Sequence, residues 1–246
     1  MIHKRTLSVG LLLLVGIGAV LVLTVPRMVR RAFYPLAPPM PPVVSTPVAQ
    51  ILADLEAALK SKAPRVLAEL QPGLSNEEIA VLETKAGLHL PEEIRALYRW
   101  RNGSRSRDPH FDGPIPGHRF VPLAEALSLP TVISNQVAHA PVVGRAAFKI
   151  VAGHTKSWIT LFDDGCGDGY FFDPKRKLQE GAVFYRFAED MTYVFFPSVK
   201  NLLAGVVKSY ERDAFTWKES PSGPSLNEDF NKTKQVWAEF GSSNIR

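Results

Sequence analysis

Four aspartates lie in or beside one glycine-rich segment, and closely spaced carboxylates are the groups that bind hard cations. They are Asp163, Asp164, Asp168 and Asp173, with three glycines among them. An EF-hand loop alternates its acidic ligands and ends on a bidentate Glu, and the spacing here does not follow that pattern. The segment therefore predicts a hairpin loop in which aspartates accept hydrogen bonds from nearby backbone N–H groups. A cation site is the alternative.

Cys166 lies in the same segment and is the single cysteine of the chain. A nucleophilic cysteine needs a base beside it or a helix N-terminus to lower its pKa. Histidines 118, 139 and 154 are available, but the sequence places none of them next to Cys166. One cysteine also excludes an intramolecular disulfide and a cysteine-based zinc site. We therefore predict no catalytic residue, no cofactor, no metal ion and no small-molecule substrate.

A second group of residues combines arginines with aromatic side chains, which is typical of protein-binding hot spots. Arg99, Arg101, Arg105 and Arg107 surround Trp100 and precede Phe111. They could contact an acidic partner, or they could form a solvated loop after a helix whose C-terminus favours cations. The candidate partner-binding residues are therefore Arg99, Arg101, Arg105, Arg107, Phe111, Asp163, Asp164 and Asp168.

The distribution of charge argues against nucleic acid as the partner. The chain has a formal net charge of +5, but residues 1–50 hold five basic residues and no acidic one. The remainder carries 24 basic and 24 acidic residues, so it is neutral overall. A neutral domain has no bulk field to attract a phosphate backbone. The basic excess flanks an apolar segment instead, which indicates a membrane surface.

Helical spacing and breaks predict three helices before residue 102. Apolar positions favour a helix from residue 48 to 60 that resumes after Pro64 up to Leu70, followed by a break at residues 71–73. Ser75 and Glu78 form a capping-box pattern, and Gly87 is a helix C-cap. Pro91 is a good first residue for the next helix, which Asn102 and Gly103 end.

The second half of the chain changes to strand-like segments rich in β-branched and aromatic residues. The predicted strands are residues 119–121, 132–133, 148–151, 158–162, 170–172 and 182–187, with a short helical segment at 122–127. A final amphipathic helix covers residues 197–210 and is capped by Ser198. Helices, then antiparallel strands, then a helix predict an α+β fold in which one antiparallel sheet packs against helices.

Both ends of the chain add segments to this domain. Residues 7–25 carry no charge, and a helix of that length is about 28 Å long, close to the ~30 Å of a bilayer core. They predict a transmembrane helix after a short flank at residues 1–6, with a cleaved signal peptide as the alternative. Residues 26–47 form a basic and proline-rich linker. Three arginines follow the span, and two basic residues precede it. Because basic residues favour the cytoplasmic side of a membrane, this difference predicts a cytoplasmic position for the C-terminal domain.

The C-terminal segment, residues 216–246, follows the predicted domain at residues 48–215. Ser225 and Glu228 have capping-box spacing, which predicts a helix over residues 226–240. Its apolar residues would line one helical face, so the segment could dock on the domain or on a partner.

The ordered motifs resemble those of the SUKH superfamily. The segment PGLSNEEIAVLETKAGLHLPEEIRALYRWRNGS resembles the opening signature of that family, and FVPLAEAL, WITLFDDGCGDGYFFDP, GAVFYRF and FPSVKNLLAGVVKSY resemble its later elements in order. The matching motif residues, which would be structural, are Ile79, Glu83, Gly87, Leu90, Pro91, Glu92, Asn102, Gly103, Gly167, Asp168, Asp173 and Pro174.

This resemblance implies a protein-binding module and not an enzyme. The superfamily contains fungal regulators of cell-wall synthesis and bacterial toxin-immunity proteins. The expected function is therefore that of an immunity protein, anchored in the membrane, which binds and neutralises a toxin. An envelope or cell-wall scaffold is the alternative, and an enzyme is third.

Overall fold

The computed structural model describes residues 40–105, 113–128, 158–172, 174, 181–187, 192–219 and 224–241. Within these residues the helices are α1 (Val48–Lys62), α2 (Pro64–Glu69), α3 (Asn76–Ala86), α4 (Glu92–Trp100), α5 (Leu123–Ser128), α6 (Val199–Glu211) and α7 (Phe230–Phe240). The strands are β1 (Leu70–Pro72), β2 (Arg101–Ser104), β3 (Arg119–Phe120), β4 (Ile159–Asp163), β5 (Gly169–Phe172), β6 (Val183–Arg186), β7 (Thr192–Phe196), β8 (Phe215–Lys218) and β9 (Ser225–Glu228).

The predicted α+β class with antiparallel strands is confirmed. The main sheet has five strands in the order β3-β4-β5-β6-β7, and every neighbouring pair is antiparallel. Two small antiparallel pairs, β1-β2 and β8-β9, lie outside it. The expectation of one sheet was therefore too simple. The strands predicted at residues 132–133 and 148–151 lie outside the described residues.

Local capping signals set the ends of α3 and α6 as the sequence predicted. Ser75 Oγ accepts a hydrogen bond from the Glu78 N–H at 3.1 Å, and the Glu78 carboxylate accepts one from the Ser75 N–H at 2.7 Å. Gly87 ends α3 with φ of 63°, a left-handed conformation that glycine adopts without strain. Ser198 caps α6 through the Asn201 N–H. Pro91, however, precedes α4 as its N-cap residue and is not inside the helix.

A β-bulge interrupts strand β4. Thr160 pairs with Phe171 and Phe162 pairs with Tyr170, so Leu161 is one extra residue in β4. Leu161 and Phe162 consequently both belong to the core on the helical side of the sheet. A bulge of this kind changes which face the following residues occupy.

Two apolar clusters lie on the opposite faces of the main sheet. The larger core combines the buried faces of α1, α4 and α6 with the inward residues of the strands, among them Phe162, Tyr170 and Tyr185. The smaller cluster, on the other face, consists of Trp158, Phe171, Ala182 and Phe184, and Met40 packs against it. Alternation along each strand explains this division, because successive side chains point to opposite faces.

The C-terminal segment packs on the domain, but its helix begins later than predicted. Ser225–Glu228 is strand β9, which pairs with β8, and so the capping box expected there is wrong. Asp229 is the actual N-cap, because its carboxylate accepts hydrogen bonds from the N–H groups of Asn231 and Lys232. The helix therefore covers Phe230–Phe240 and not residues 226–240. Trp237 is 4% exposed and lies in the main core.

The part of the chain that the structure describes contains no helix with the length and apolar character needed to cross a bilayer. The transmembrane helix predicted at residues 7–25 lies outside the described residues.

Candidate functional site

The loop between β4 and β5 holds its own aspartates in hydrogen bonds. Asp164 Oδ1 accepts three backbone N–H groups, from Cys166 at 2.8 Å, Gly167 at 3.0 Å and Asp168 at 2.9 Å. Gly165 and Gly167 have φ of 75° and 109°, which allows the chain to turn around that oxygen. This is the local bonding that the sequence predicted for the segment.

Asp163 is held by Arg119, which joins β3 and β4 to helix α5. The guanidinium donates to both oxygens of Asp163, at 2.7 and 2.9 Å, and to both oxygens of Glu125, at 2.6 and 3.2 Å. Hydrogen bonding to Glu125 and then to Asp163 raises the pKa of Arg119 against the opposing effect of burial. The described residues hold no group of three or more His, Cys, Asp or Glu side chains able to share a metal ion. Asp173 lies outside those residues.

The predicted arginines that the structure describes lie at the end of α4 and along β2. Arg99 donates to the Asn76 side chain at 3.0 Å and pairs with Glu92. Arg101 donates to Glu56 Oε1 at 2.6 Å, and its guanidinium lies 5.8 Å from the centre of the Trp100 ring. Arg105 is exposed, and its backbone N–H donates to the Glu69 carbonyl at 2.8 Å. Arg107 and Phe111 lie outside the described residues.

Arg99 and Arg101 border a shallow groove of about 540 Å³ between α1 and α4. Small and apolar side chains form its floor, and its lining residues are Ala49, Leu52, Ala53, Glu56, Ala96, Arg99, Trp100 and Arg101. Trp100 is partly buried, and its indole N–H donates to Glu56 Oε2 at 2.6 Å. Glu56 therefore binds both the indole and the Arg101 guanidinium, which fixes an aromatic face and a cation side by side.

The α1 side of this groove was missed by the sequence analysis. Ala49, Ala53 and Glu56 are spaced so that they share one face of α1, while Ile51, Leu52 and Leu55 are buried. Small residues on an otherwise exposed face were the available signal, but they do not indicate which helix lies opposite.

Most family-motif residues have structural roles. Glu83 is 6% exposed, accepts the Leu90 N–H at 2.7 Å and pairs with Arg95 at 2.9 Å. Asn102 Oδ1 accepts the Leu123 N–H at 3.0 Å. Gly103 has φ of 81°, and a Cβ there would come within 2.5 Å of the Pro122 nitrogen. Ile79 and Leu90 are fully buried.

His118, which the sequence offered only as a possible base for Cys166, links the turn before β3 to strand β6. His118 Nδ1 lies 2.9 Å from the Pro116 carbonyl, and Nε2 lies 3.1 Å from the Tyr185 hydroxyl. Because a carbonyl only accepts, Nδ1 carries the proton and the neutral ring accepts at Nε2 from Tyr185. Burial lowers the pKa of His118, while the Pro116 carbonyl and then Asp164, Asp168 and Asp163 act to raise it.

Comparison with known proteins gives one family. Residues 73–205 match the family described as SMI1 / KNR4 family (SUKH-1). A search of curated proteins finds no match to this chain.

Proposed function

The chain belongs to the SMI1 / KNR4 family (SUKH-1), and from that membership we propose that its folded domain binds and neutralises a toxin protein. The groove between α1 and α4 is the proposed contact surface. The observation that carries this choice is Trp100, a large, partly buried aromatic side chain held beside Arg101 by a shared carboxylate. Tryptophan and arginine are the residues most enriched among binding hot spots.

The groove supports protein binding better than catalysis. It is open and shallow, and its titratable side chains are paired: Glu56 with Arg101, both in the groove, and Arg99 with Glu92 beside the groove. A general acid or base needs a free functional atom within hydrogen-bond reach of a substrate. An apolar floor beside two guanidinium groups suits a protein segment that carries apolar and acidic side chains.

The test is rescue from a toxin by the full chain. Each gene adjacent to this one is expressed in a bacterial host with and without the chain, and colony formation is counted. Rescue from one product, together with direct binding of that purified product, supports immunity. If no neighbouring product is toxic and one is an envelope component that the chain binds, the cell-wall scaffold alternative replaces it.

Substitution in the groove tests the proposed surface. We expect Trp100→Ala to weaken binding of the identified partner by about tenfold or more, because it removes a partly buried aromatic anchor. Val81→Ala is the matched control, since Val81 is 66% exposed on α3 and does not line the groove. Equal affinities of both variants and the wild type would move the contact surface elsewhere.

We also propose that residues 7–25 anchor the chain in a membrane with the domain on the cytoplasmic side. The uncharged span and the three arginines after it support this proposal. Cys166 is exposed and is the only cysteine, so it reports the side of the domain. A membrane-impermeant maleimide should label Cys166 in lysed but not in intact cells, and deletion of residues 7–25 should release the chain from the membrane fraction.

A further inference from the structure

The side chain of Asn201 holds a second segment of the chain in the way a protein holds a bound peptide. Asn201 is 1% exposed and lies in the first turn of α6. Its Oδ1 accepts the Val44 N–H at 3.1 Å, and its Nδ2 donates to the Pro42 carbonyl at 3.1 Å. One amide group thus binds an acceptor and a donor of the same backbone, two residues apart. This contact is made to the main chain and does not depend on the side chains of the segment.

The hydrogen-bonding capacity of this amide is fully used. Oδ1 also accepts the Ser198 hydroxyl at 2.7 Å, and Nδ2 also donates to the Phe240 carbonyl at 3.0 Å. Two carbonyls require the amide nitrogen, and a hydroxyl and an N–H can both donate to the oxygen, so the orientation of the amide is determined. Because the group is buried, each lost partner would leave a polar atom unsatisfied.

Side chains of the held segment fill two apolar positions on either side of the amide. Met40 packs against the cluster of Trp158, Phe171, Ala182 and Phe184, and Val44 packs against the main core. Val43, between them, is 53% exposed. Residues 40–45 belong to no helix or strand, and Pro41 and Pro42 have no N–H to donate. Proline-containing segments lose little entropy when they are bound extended, which is why they recur as peptide ligands.

We propose that the surface formed by Asn201 and the Trp158–Phe171–Phe184 cluster is a site for an extended, proline-containing peptide, occupied here by residues 40–44 of the same chain. Its ligand has an apolar residue, two prolines, one outward residue and a second apolar residue. The direct link between this segment and α1 gives it a high effective concentration, in the millimolar range or above. A separate peptide therefore binds only when the internal segment is weakened.

The first experiment measures hydrogen exchange at the Val44 amide in the full chain. Asn201→Asp keeps an acceptor for Val44 and suits the helix N-terminus, but it places a carboxylate against the Pro42 and Phe240 carbonyls. We expect faster exchange at Val44 and at the end of α7 near Phe240, by about tenfold or more. Asn227→Asp is the matched control, because the Asn227 amide donates to Ser225 on the same strand, away from Val44. Unchanged exchange at Val44 in Asn201→Asp would overturn the proposal.

The second experiment supplies the ligand as a separate molecule. A labelled peptide of residues 40–47 is titrated into the full chain carrying Val44→Pro, which removes the donor to Asn201, or Met40→Glu, which weakens the apolar contact. Near-ultraviolet circular dichroism checks that each variant is folded. We expect at least about tenfold tighter binding than to the wild type, and its loss when Asn201→Asp is added. Folded variants that bind no peptide, or binding that survives Asn201→Asp, would overturn the proposal.

Discussion

Among single residues, Glu83 shows how a buried charge can hold two elements in one arrangement. It lies on α3, yet its partners are the Leu90 N–H before α4 and the Arg95 guanidinium within α4. A carboxylate in this position satisfies a buried backbone donor and a largely buried cation together. Glu83 therefore joins α3 to α4, the helix that ends at Trp100.

Replacing Glu83 with Ala should destabilise the fold by about 3 kcal/mol, because it leaves Arg95 and the Leu90 N–H unpaired in a buried site. Urea unfolding followed by circular dichroism measures the change. Glu92→Ala is the matched control: its pair with Arg99 is two-thirds exposed on the carboxylate side, and exposed pairs contribute less than about 1 kcal/mol. Similar losses from both substitutions would contradict the buried role of Glu83.

His118 should make stability depend on pH in the weakly acidic range. Burial lowers its pKa in the folded state below the unfolded value of about 6.5. The unfolded state therefore binds more protons as the pH falls through that value, and stability decreases. The stability that the neutral His118 ring contributes is fully present above about pH 6.5 and is lost as the solution becomes more acidic.

His118→Phe keeps the ring contacts with Tyr170 and Tyr185 but cannot titrate. We expect its free energy of unfolding to change less with pH than that of the wild type between about pH 7 and pH 5. The difference between the two proteins isolates His118, since Glu228, whose pKa burial raises, is present in both. Parallel pH profiles would show that His118 does not carry the dependence.

At the scale of elements, Trp237 anchors α7 in the core of the domain. Its ring contacts Tyr170, Phe195, Phe196 and Phe215, and its N–H donates to Ser209 Oγ on α6 at 3.1 Å. The neighbouring strands β8 and β9 bring α7 back over the sheet. The segment after α6 is therefore part of the folded core.

Trp237→Ala should cost about 3–5 kcal/mol, because it opens a cavity in the core and leaves Ser209 without its donor. The midpoint of chemical unfolding measures it. Phe230→Ala on the same helix is the matched control, since Phe230 is 75% exposed and should change stability by less than about 0.5 kcal/mol. A Trp237→Ala protein as stable as Phe230→Ala would mean that α7 is not packed in solution.

The sequence predicted elements well where local signals agree with the tertiary structure. Ser75 and Ser198 cap the start of their helices, and Gly87 caps the end of α3. All three do so by bonds to the backbone of nearby residues. The sequence did not predict strands whose pairing partners are distant in the chain. Leu70–Pro72 and Arg101–Ser104 contain Pro and Gly and read as breaks, but they pair with each other. Thr192–Phe196 has strand-like composition and was overlooked before the following helix.

The candidate site was only half predictable for the same reason. Arg99, Arg101 and Trp100 are adjacent in sequence, so their chemistry is visible there. Their partners are not: Glu56 is on α1, and Asn76 is on α3. The spacing of these residues does not indicate that their guanidinium groups bond to side chains of the same chain.

At the scale of the whole molecule, the folded unit is larger than residues 73–205. Helix α6 continues to Glu211, and its buried residues Val206 and Tyr210 lie beyond that range. Helix α6 packs against α1, which precedes that range in the sequence, and against α7, which follows it. The domain core is thus completed by both flanking segments.

A fragment of residues 73–205 should therefore fail to unfold cooperatively, because it exposes the α6 face that α1 and α7 cover. The full chain is the comparison, with thermal unfolding followed by circular dichroism. We expect a sharp transition only for the full chain. A fragment with a comparably sharp transition would show that the flanking helices are dispensable.

The extra residue in β4 shifts the alternation of its side chains between the two faces of the sheet. Before Leu161, odd-numbered side chains point to the helices; after it, the even-numbered Phe162 does, and the Asp163 carboxylate reaches Arg119. Deleting Leu161 would leave Thr160 opposite Phe171 and Phe162 opposite Tyr170, so Phe162 would keep its face. The core would lose the Leu161 side chain, and the Val121 N–H would lose the Leu161 carbonyl as its acceptor.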